Sequence, residues 1–158
     1  MVEHSGTFFT VPSSRIRVEP TVAPPLYFAA FTPSSMARIA RVGDGWLPAS
    51  IPFDAMMTMW SAIRDMAAAN GRDPEALRLV VRANTSSIQR RPEEERPPFE
   101  GDLQQLADDV HRCAERGVDE VILDLQFTEC ATTLTGLTDT FDDLLGRLTD
   151  HLATPVAA

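Results

Sequence analysis

The stretch that decides the fold runs from Pro24 to Pro48 and reads PPLYFAAFTPSSMARIARVGDGWLP. Leu26 to Ala30 is a compact apolar run, which is typical of a strand covered on both faces. Thr32 is a favourable N-cap, and Pro33 suits the first position of a helix, where its missing amide hydrogen costs nothing. The stretch therefore predicts a strand that is followed at once by a helix.

The helix in this stretch is short and leads into a second strand. Met36, Ile39 and Ala40 recur at the spacing of one helical face, and Gly43 is a common terminating residue just after such a face. Gly45 to Ala49 is then predicted as a strand. So tight a connection is typical of repeated α/β units.

The rest of the chain repeats this alternation. The predicted elements are a helix from Pro52 to Gly71, a strand from Leu77 to Ala83, a helix from Asp102 to Gly117, a strand from Glu120 to Gln126 and a helix from Leu137 to Leu152. Connections of these lengths permit right-handed parallel crossovers. Residues 24–152 are therefore predicted to be four strand-plus-helix units of an α/β fold, forming either a small doubly wound sheet or an arc of barrel wall.

Length and composition predict a single domain over residues 1–158. The sequence is 44% apolar and 23% charged, which is close to the average of globular proteins. Residues 1–23 are interpreted as a lead-in arm, because Thr7 to Val18 alternates loosely around Pro12-Ser13-Ser14, as a short hairpin or an extended segment would.

Two segments are predicted to be loosely held. Residues 86–101 contain a charged run punctuated by prolines, so they are interpreted as a mobile loop, either a plain solvated linker or a lid over a site. Residues 153–158 are predicted to be a loose tail. In contrast, the stripe of Met56, Met57 and Trp60 on the second helix indicates core packing rather than a ligand pocket.

The charge balance makes polyanionic partners improbable on physical grounds. The chain has 14 basic and 23 acidic residues, for a net charge of -9, and every basic residue is Arg. An acidic surface repels phosphate backbones and anionic membranes, so we expect neither nucleic acid nor membrane as a partner. The absence of Lys also removes a Schiff-base nucleophile and the lysine of a P-loop.

The remaining sequence signals predict a cytoplasmic protein without a metal site. No run of the sequence is long and apolar enough for a membrane span, and Met1 to Thr10 does not have the pattern of a signal peptide. Cys113 and Cys130 show no CxxC spacing. His111 and Cys113 are two positions apart on a helix, so they point to different faces and do not form a metal or catalytic pair.

In parallel α/β folds, ligands bind beyond the carboxyl ends of the strands. The segments that follow the predicted strands are Ala29 to Ser35, Ala49 to Ile51, Arg82 to Thr85 and Asp124 to Thr128. The first has small residues that let a ligand approach the backbone, and the helix after it presents its positive end to the same place. This segment is therefore the candidate for binding an anion.

The stretch from Pro24 to Pro48 also resembles the luciferase-like monooxygenase family of flavin- or coenzyme F420-dependent oxidoreductases. Members usually have two prolines, a short apolar strand ending in small residues, a helix, and then Gly-Asp-Gly before Trp or Phe, which stands here at Gly43 to Trp46. The resemblance continues through Asn70 to Pro74. The segment from Asp102 to Leu125 is similar to the closing unit of the family.

The resemblance implies the C-terminal half of an eight-stranded TIM-type barrel and a cofactor, FMN or coenzyme F420, without a metal. In the family, the backbone after the first strand of this half holds the cofactor phosphate or neighbouring groups. Phe31 stands where many relatives have Gly. Carried over by position, the implied cofactor-binding residues are Ala29, Ala30, Phe31, Thr32, Ser34, Gly45 and Trp46.

The first four strands of the family, with its usual acid and base residues, have no counterpart in this sequence. A truncated oxidoreductase is therefore one hypothesis, and a non-catalytic remnant that serves as a binding or assembly module is the other. Arg82 and Asp124 at strand ends are candidates for polar contacts, although a structural ion pair or a turn anchor is the simpler interpretation.

Half a barrel leaves one face of its sheet and two edge strands uncovered, which proteins normally avoid. We expect one of three covers. A second copy of the chain in a homodimer is the first, a separate N-terminal half-barrel chain is the second, and inward folding of the arm at Thr7 to Val18 is the third.

Overall fold

The computed structural model describes residues 1–15 and 22–152, with side chains up to residue 149. An antiparallel hairpin joins β1 (Val2–Ser5) to β2 (Thr10–Ser14). A parallel sheet then contains β3 (Tyr27–Phe28), β4 (Gly45–Trp46), β5 (Arg78–Asn84) and β6 (Glu120–Asp124), side by side in chain order. The helices are α1 (Pro33–Val42), α2 (Phe53–Ala69), α3 (Leu103–Glu115) and α4 (Leu134–Leu152).

The predicted series of strand-plus-helix units is confirmed. Adjacent strands of the sheet are parallel at every pairing, and a helix follows each strand. The strands keep chain order across the sheet, which is the order in a barrel wall, whereas a doubly wound sheet reverses its order at a switch point. The arrangement therefore agrees with the barrel-wall alternative.

The first unit has the helix boundaries that the sequence predicts, but both of its strands are shorter. Thr32 caps α1, and the amide of Gly43 closes it on the carbonyl of Ile39 at 2.8 Å. Only two residues each of β3 and β4 pair as strand. Pro48 has no amide hydrogen to continue β4, and Ala49 returns to the sheet as an isolated bridge to Arg82.

Helix α4 begins at Leu134, three residues before the predicted Leu137. The cause is a cap that the apolar pattern does not reveal. The hydroxyl of Thr133 accepts a hydrogen bond from the amide of Gly136 at 3.0 Å, as an N-cap residue does. The predicted loose tail, 153–158, lies outside the described residues.

The predicted hairpin forms, but the prediction that its turn lies at Pro12-Ser13-Ser14 was wrong. The chain reverses at Gly6 to Phe9, where the amide of Gly6 donates to the carbonyl of Phe9 at 3.0 Å. Pro12, Ser13 and Ser14 lie in β2, because a two-stranded ribbon tolerates a proline whose nitrogen faces solvent. Residues 16–18 of the predicted segment lie outside the described residues.

The segment 86–101 is anchored, so its interpretation as a plain solvated linker was wrong for its second half. Asp109 of α3 is fully buried; it accepts the amide of Phe99 at 2.7 Å and the guanidinium Nη2 of Arg96 at 3.0 Å. The hydroxyl of Thr85 donates to the carbonyl of Phe99 at 2.8 Å. Whether the segment 86–101 moves as a lid stays a prediction.

The main core lies between the sheet and the helices. Trp46, Leu79, Val81 and Ala83 point from the strands toward buried residues of the helices. The apolar stripe of α2 belongs to this core, which confirms the core-packing interpretation. Its buried members are Phe53, Met56, Trp60, Ile63 and Ala67.

The opposite surface of β5 and β6 is only partly covered. Arg82 and Asn84 alternate with the core residues of β5, and Ile122 and Asp124 do the same on β6, whereas Val80 on this side is buried. We call Arg82, Asn84, Ile122 and Asp124 the open face. Ile122 is 42% exposed within it, which is unusual for an isoleucine at the centre of a parallel strand.

The hairpin does not cover this face within the described residues. Phe8 and Phe9, at its turn, are 88% and 77% exposed, and every described residue of the arm before residue 16 is exposed. The expectation that the arm folds inward was therefore wrong for this part. Within the described residues, no helix is long and apolar enough to cross a membrane.

We predict that Gly45→Ala destabilises the protein by about 1–3 kcal/mol, the usual cost of overpacking. A methyl group at this position lies 2.2 Å from the carbonyl oxygen of Arg78 and 2.8 Å from the ring of Tyr27, so the pairing of three strands has to open. Urea unfolding measures the change. Gly146→Ala is the control, because a methyl group there meets nothing within 4 Å, and it raises stability by up to about 1 kcal/mol. Equal effects at the two positions would contradict the explanation.

Candidate functional site

The predicted site residues lie around the junction of β3 and α1, but they divide into two groups. Ala29, Phe31, Thr32 and Ser34 are exposed, whereas Ala30, Gly45 and Trp46 are buried. The exposed residues belong to the surface that a ligand can reach. The buried residues support that surface from below.

The support is a specific contact between the first two strands. The indole Nε1 of Trp46 donates a hydrogen bond of 3.0 Å to the carbonyl of Ala30, and neither side chain is exposed by more than 1%. The indole is fully enclosed, so it offers no face for stacking with a cofactor. Trp46 therefore holds the end of β3 in place, and its predicted role in cofactor binding stays a prediction.

The exposed group includes Thr32, which forms a capping box with Ser35, a residue that the predicted set left out. The hydroxyl of Ser35 accepts the amides of Phe31 at 3.3 Å and Thr32 at 3.0 Å, while the hydroxyl of Thr32 accepts the amide of Ser35 at 3.3 Å. Three backbone donors at this junction are thus already bonded internally. The Thr-x-x-Ser spacing is a variant of the capping-box signature and was the available signal.

Two hydroxyl groups remain accessible beside the capping box. Thr32 Oγ1 and Ser34 Oγ lie 3.2 Å apart, and both residues are exposed. The first turn of α1 carries no acidic residue that would repel an anion. Hydroxyls at the positive end of a helix are suitable donors for a phosphate group.

A second polar group lies at the carboxyl ends of β5 and β6, on the open face. Arg82 and Asp124 form the ion pair expected for them, with Arg82 Nε donating to Asp124 Oδ2 at 3.0 Å. The hydrogen bond from Arg82 lowers the pKa of Asp124, and the backbone amide of Gln126 lowers it further. The carboxylate is therefore ionised at neutral pH and does not serve as a general acid.

Asn84 is the residue of this face that sequence reasoning missed. It stands opposite Asp124 in the strand register, and its Oδ1 is buried without a hydrogen-bond partner among the described residues. A buried amide oxygen without a partner is costly and is often satisfied by a ligand or by water. Its position at the end of a strand was the available signal.

The described residues contain no group of three or more His, Cys, Asp or Glu side chains that could hold a metal ion. The donors at both candidate positions are hydroxyls, amides and one guanidinium. Such donors suit an organic ligand with a phosphate or carbonyl groups.

A family model of luciferase-like monooxygenases matches residues 1–96, which contain the hairpin, β3, α1, β4, α2 and β5. The chain belongs to this family. The β3–α1 junction with its capping box thus falls inside the matched part, whereas Asp124 lies beyond it. No curated protein matches the chain at a significant level.

Solved structures that share the fold include a dehydrogenase, a monooxygenase and a lyase. An F420-dependent secondary alcohol dehydrogenase in complex with an F420-acetone adduct superposes with a TM-score of 0.64 at 14% identity, over 93% of this chain and 56% of that one. The long-chain alkane monooxygenase LadA gives 0.62 at 14% identity, over 98% and 48%. The riboflavin lyase RcaE, solved with modified FMN and riboflavin, gives 0.62 at 14% identity, over 95% and 48%.

These likenesses show the fold, because the identities are low. They also show its extent: the chain spans about half the length of the structures that it matches. The predicted fold class is therefore supported as an α/β chain with the architecture of about half of such a protein.

We predict that Arg82→Gln raises the pKa of Asp124 toward its ordinary value of 3.8. Because the folded-state pKa is lowered, the ionised carboxylate stabilises the fold above its unfolded pKa, and this contribution is lost as the pH falls through the lowered value. The variant therefore loses less stability on acidification than the wild type.

A carboxyl-carbon NMR titration, together with urea unfolding from pH 6 to pH 2, measures both effects. Arg78→Gln is the control, since Arg78 pairs with Asp119 at 3.5 Å instead. An Asp124 pKa that stays unchanged in Arg82→Gln would contradict the assignment.

Proposed function

We propose that the chain is a cofactor-binding half of a luciferase-like oxidoreductase, which binds the phosphate of FMN or coenzyme F420 at the β3–α1 junction. The observation that carries the proposal is the pair of exposed hydroxyls, Thr32 Oγ1 and Ser34 Oγ, at the N-terminal end of α1 inside the family match. Bound there, a flavin or deazaflavin would supply hydride transfer.

The junction fits a phosphate through its side chains more directly than through its backbone. The amides of Phe31 and Thr32 already donate to Ser35, so a phosphate that uses them has to displace that hydroxyl. The hydroxyl of Ser34 contacts only the hydroxyl of Thr32, whereas Thr32 Oγ1 also accepts the amide of Ser35 and contacts its hydroxyl, so Ser34 is the more available donor. Ala29 leaves the approach open, whereas Phe31, which is 57% exposed, borders it with a bulky ring.

The open face supplies the second part of the proposed site. Asn84 Oδ1 is a buried acceptor without a partner among the described residues, and an imide N–H of a flavin-type ring is a matching donor once this side chain turns toward the open face. Arg82 is paired with Asp124 through Nε and Nη2, so it offers carbonyl oxygens a guanidinium N–H donor rather than an unpaired charge. The chain's own residues therefore bind and orient the cofactor, and no described residue of this half is assigned as the general acid or base.

The proposed site is incomplete without a cover for the open face. Ile122 is exposed at the centre of a strand, and Phe31 and Phe127 are exposed at the carboxyl ends of β3 and β6. We propose that a second copy of the chain covers this surface in a homodimer, with a separate N-terminal half-barrel chain as the alternative cover. Burial of these apolar groups is the driving force.

A non-catalytic binding or assembly module is the second candidate function. The capping box favours it, because Ser35 satisfies the backbone amides that a phosphate would otherwise use. In this case the open face would serve association only, and neither cofactor would bind.

We predict that the protein binds FMN or coenzyme F420 and that Ser34→Asp weakens this binding at least about tenfold. The new carboxylate repels the phosphate, while an acidic residue in the first turn of α1 preserves or raises helix stability, so misfolding does not explain a loss. Fluorescence titration measures the affinity.

Riboflavin is the matched ligand control for the FMN titration, because it carries the same ring without a phosphate. Its affinity stays unchanged in Ser34→Asp if the junction holds the phosphate. If neither FMN nor F420 binds at 100 μM (roughly the weaker end of micromolar affinities), the non-catalytic candidate is correct instead.

We predict that the protein sediments as a dimer and that Ile122→Glu converts it to a monomer, because a charge on the open face cannot be buried without a partner. Leu145→Glu is the matched control, since Leu145 is an exposed leucine of α4, 53% accessible, and its substitution leaves the dimer intact. A wild-type chain that sediments as a monomer at all concentrations would exclude the homodimer.

A further inference from the structure

A cavity of about 420 Å³ lies outside the proposed cofactor site. It is bounded by the beginning of α2, the segment 96–98 and the side chains of α3. None of the residues of the β3–α1 junction or of the open face lines it. We call it the arginine cavity, after Arg96, Arg112 and Arg116 in its wall.

Arg96 is the fixed part of this wall. Its side chain is almost completely buried, and it donates to both carboxylate oxygens of Asp109 and to Glu93. The hydrogen bonds with Asp109 raise the pKa of Arg96. Its charge is therefore neutralised within the protein, and Arg96 serves to hold the wall in place.

The charges of Arg112 and Arg116 are less completely neutralised by ion pairs than the charge of Arg96. Arg112 reaches Asp109 only at 3.4 Å, and Asp109 is already shared with Arg96. Arg116 reaches Asp54 at 3.7 Å, but the side chain of Asp54 is 99% exposed, so water screens this pair. Two weakly neutralised guanidinium groups in one cavity are unexpected in a chain of net charge -9.

The two guanidinium groups are also held in position. The Cζ atoms of Arg112 and Arg116 lie 5.2 Å and 5.6 Å from the centre of the Phe53 ring, within the range of cation–π contacts. Phe53 is itself buried and packs edge-to-face on Phe99 at 5.7 Å. Such preorganised guanidinium groups suit a carboxylate or a phosphate, which they bind through parallel N–H groups.

The rest of the wall is a rigid apolar surface, with the carboxylates of Asp54 and Asp109 beside it. Pro52, Pro97 and Pro98 line the cavity together with Phe53. The rim includes Ser50, a non-glycine residue with a φ of 55°, and strained backbone of this kind tends to occur at ligand sites. The volume lies within the range of small-molecule sites.

We propose that the arginine cavity binds a small organic anion. Its carboxylate or phosphate group pairs with Arg112 and Arg116, and its apolar body lies against Phe53 and the prolines. This site does not depend on the proposed cofactor site, and the two differ in what they recognise: exposed hydroxyls at a helix end in one, guanidinium groups over an aromatic ring in the other.

Calorimetric titration of the full chain with phenyl phosphate, benzoate and inorganic phosphate tests the proposal. We expect phenyl phosphate or benzoate to bind and inorganic phosphate, which has no apolar body, to bind at least about tenfold more weakly. Arg116→Gln weakens the organic anion about tenfold or more, the usual value of a charge-assisted hydrogen bond. Its polar partners among the described residues are an exposed carboxylate and a backbone carbonyl, and its guanidinium otherwise lies over the face of the Phe53 ring, so we expect the variant to keep the fold.

Arg112→Gln is a second variant, in which we also expect weaker binding of the organic anion. Far-UV circular dichroism checks that this variant is folded. Arg147→Gln, an exposed arginine of α4, is the matched control and leaves binding unchanged, as does Ser34→Asp. The proposal is overturned if no organic anion binds at millimolar concentration, if inorganic phosphate binds equally well, or if Arg116→Gln and Arg147→Gln have the same effect.

Discussion

The structure depends on one constraint: four parallel strands have helices packed on one face only. Parallel strands need a crossover connection, and here every crossover helix contributes to the same core with Trp46, Leu79 and Val81. The opposite face of β5 and β6 is therefore only partly covered by the described part of the chain, and it presents Ile122 beside the Arg82–Asp124 pair. The candidate functions concern that face and the edge where its strands end.

The two polar groups at that edge differ in which hydrogen-bonding atoms they leave available. At the β3–α1 junction the backbone is internally satisfied by Ser35, so hydroxyl groups are the available donors. On the open face, Asp124 is neutralised by Arg82, while Asn84 keeps an unsatisfied acceptor. A cofactor with a phosphate and an imide-bearing ring matches both elements. The arginine cavity, in contrast, has an independent charge pattern and suits a smaller anion.

The predictable part of the fold follows from local chemistry. The boundaries of α1 come from Thr32 and Gly43, which act within a few residues of the chain, and the sequence reveals them correctly. The sequence-based predictions fail where contacts with residues distant in the chain determine whether a segment is ordered. Phe99 and Arg96 resemble loop residues in the sequence, yet Asp109 on α3 binds both and orders the segment. Likewise, the sequence motif does not reveal that Trp46 is enclosed and donates a hydrogen bond to the carbonyl of Ala30.

The sequence by itself determined the α/β class, the order of the units, the family and the position of the β3–α1 junction. It did so because apolar spacing, helix caps and a contiguous motif are properties of neighbouring residues. Only the tertiary structure decided which site residues are exposed, that Arg82 pairs with Asp124, that Asn84 lacks a partner, and that Arg112 and Arg116 meet at Phe53. These facts rest on contacts between residues tens of positions apart. Such contacts depend on how the strands and helices pack, which no local pattern specifies.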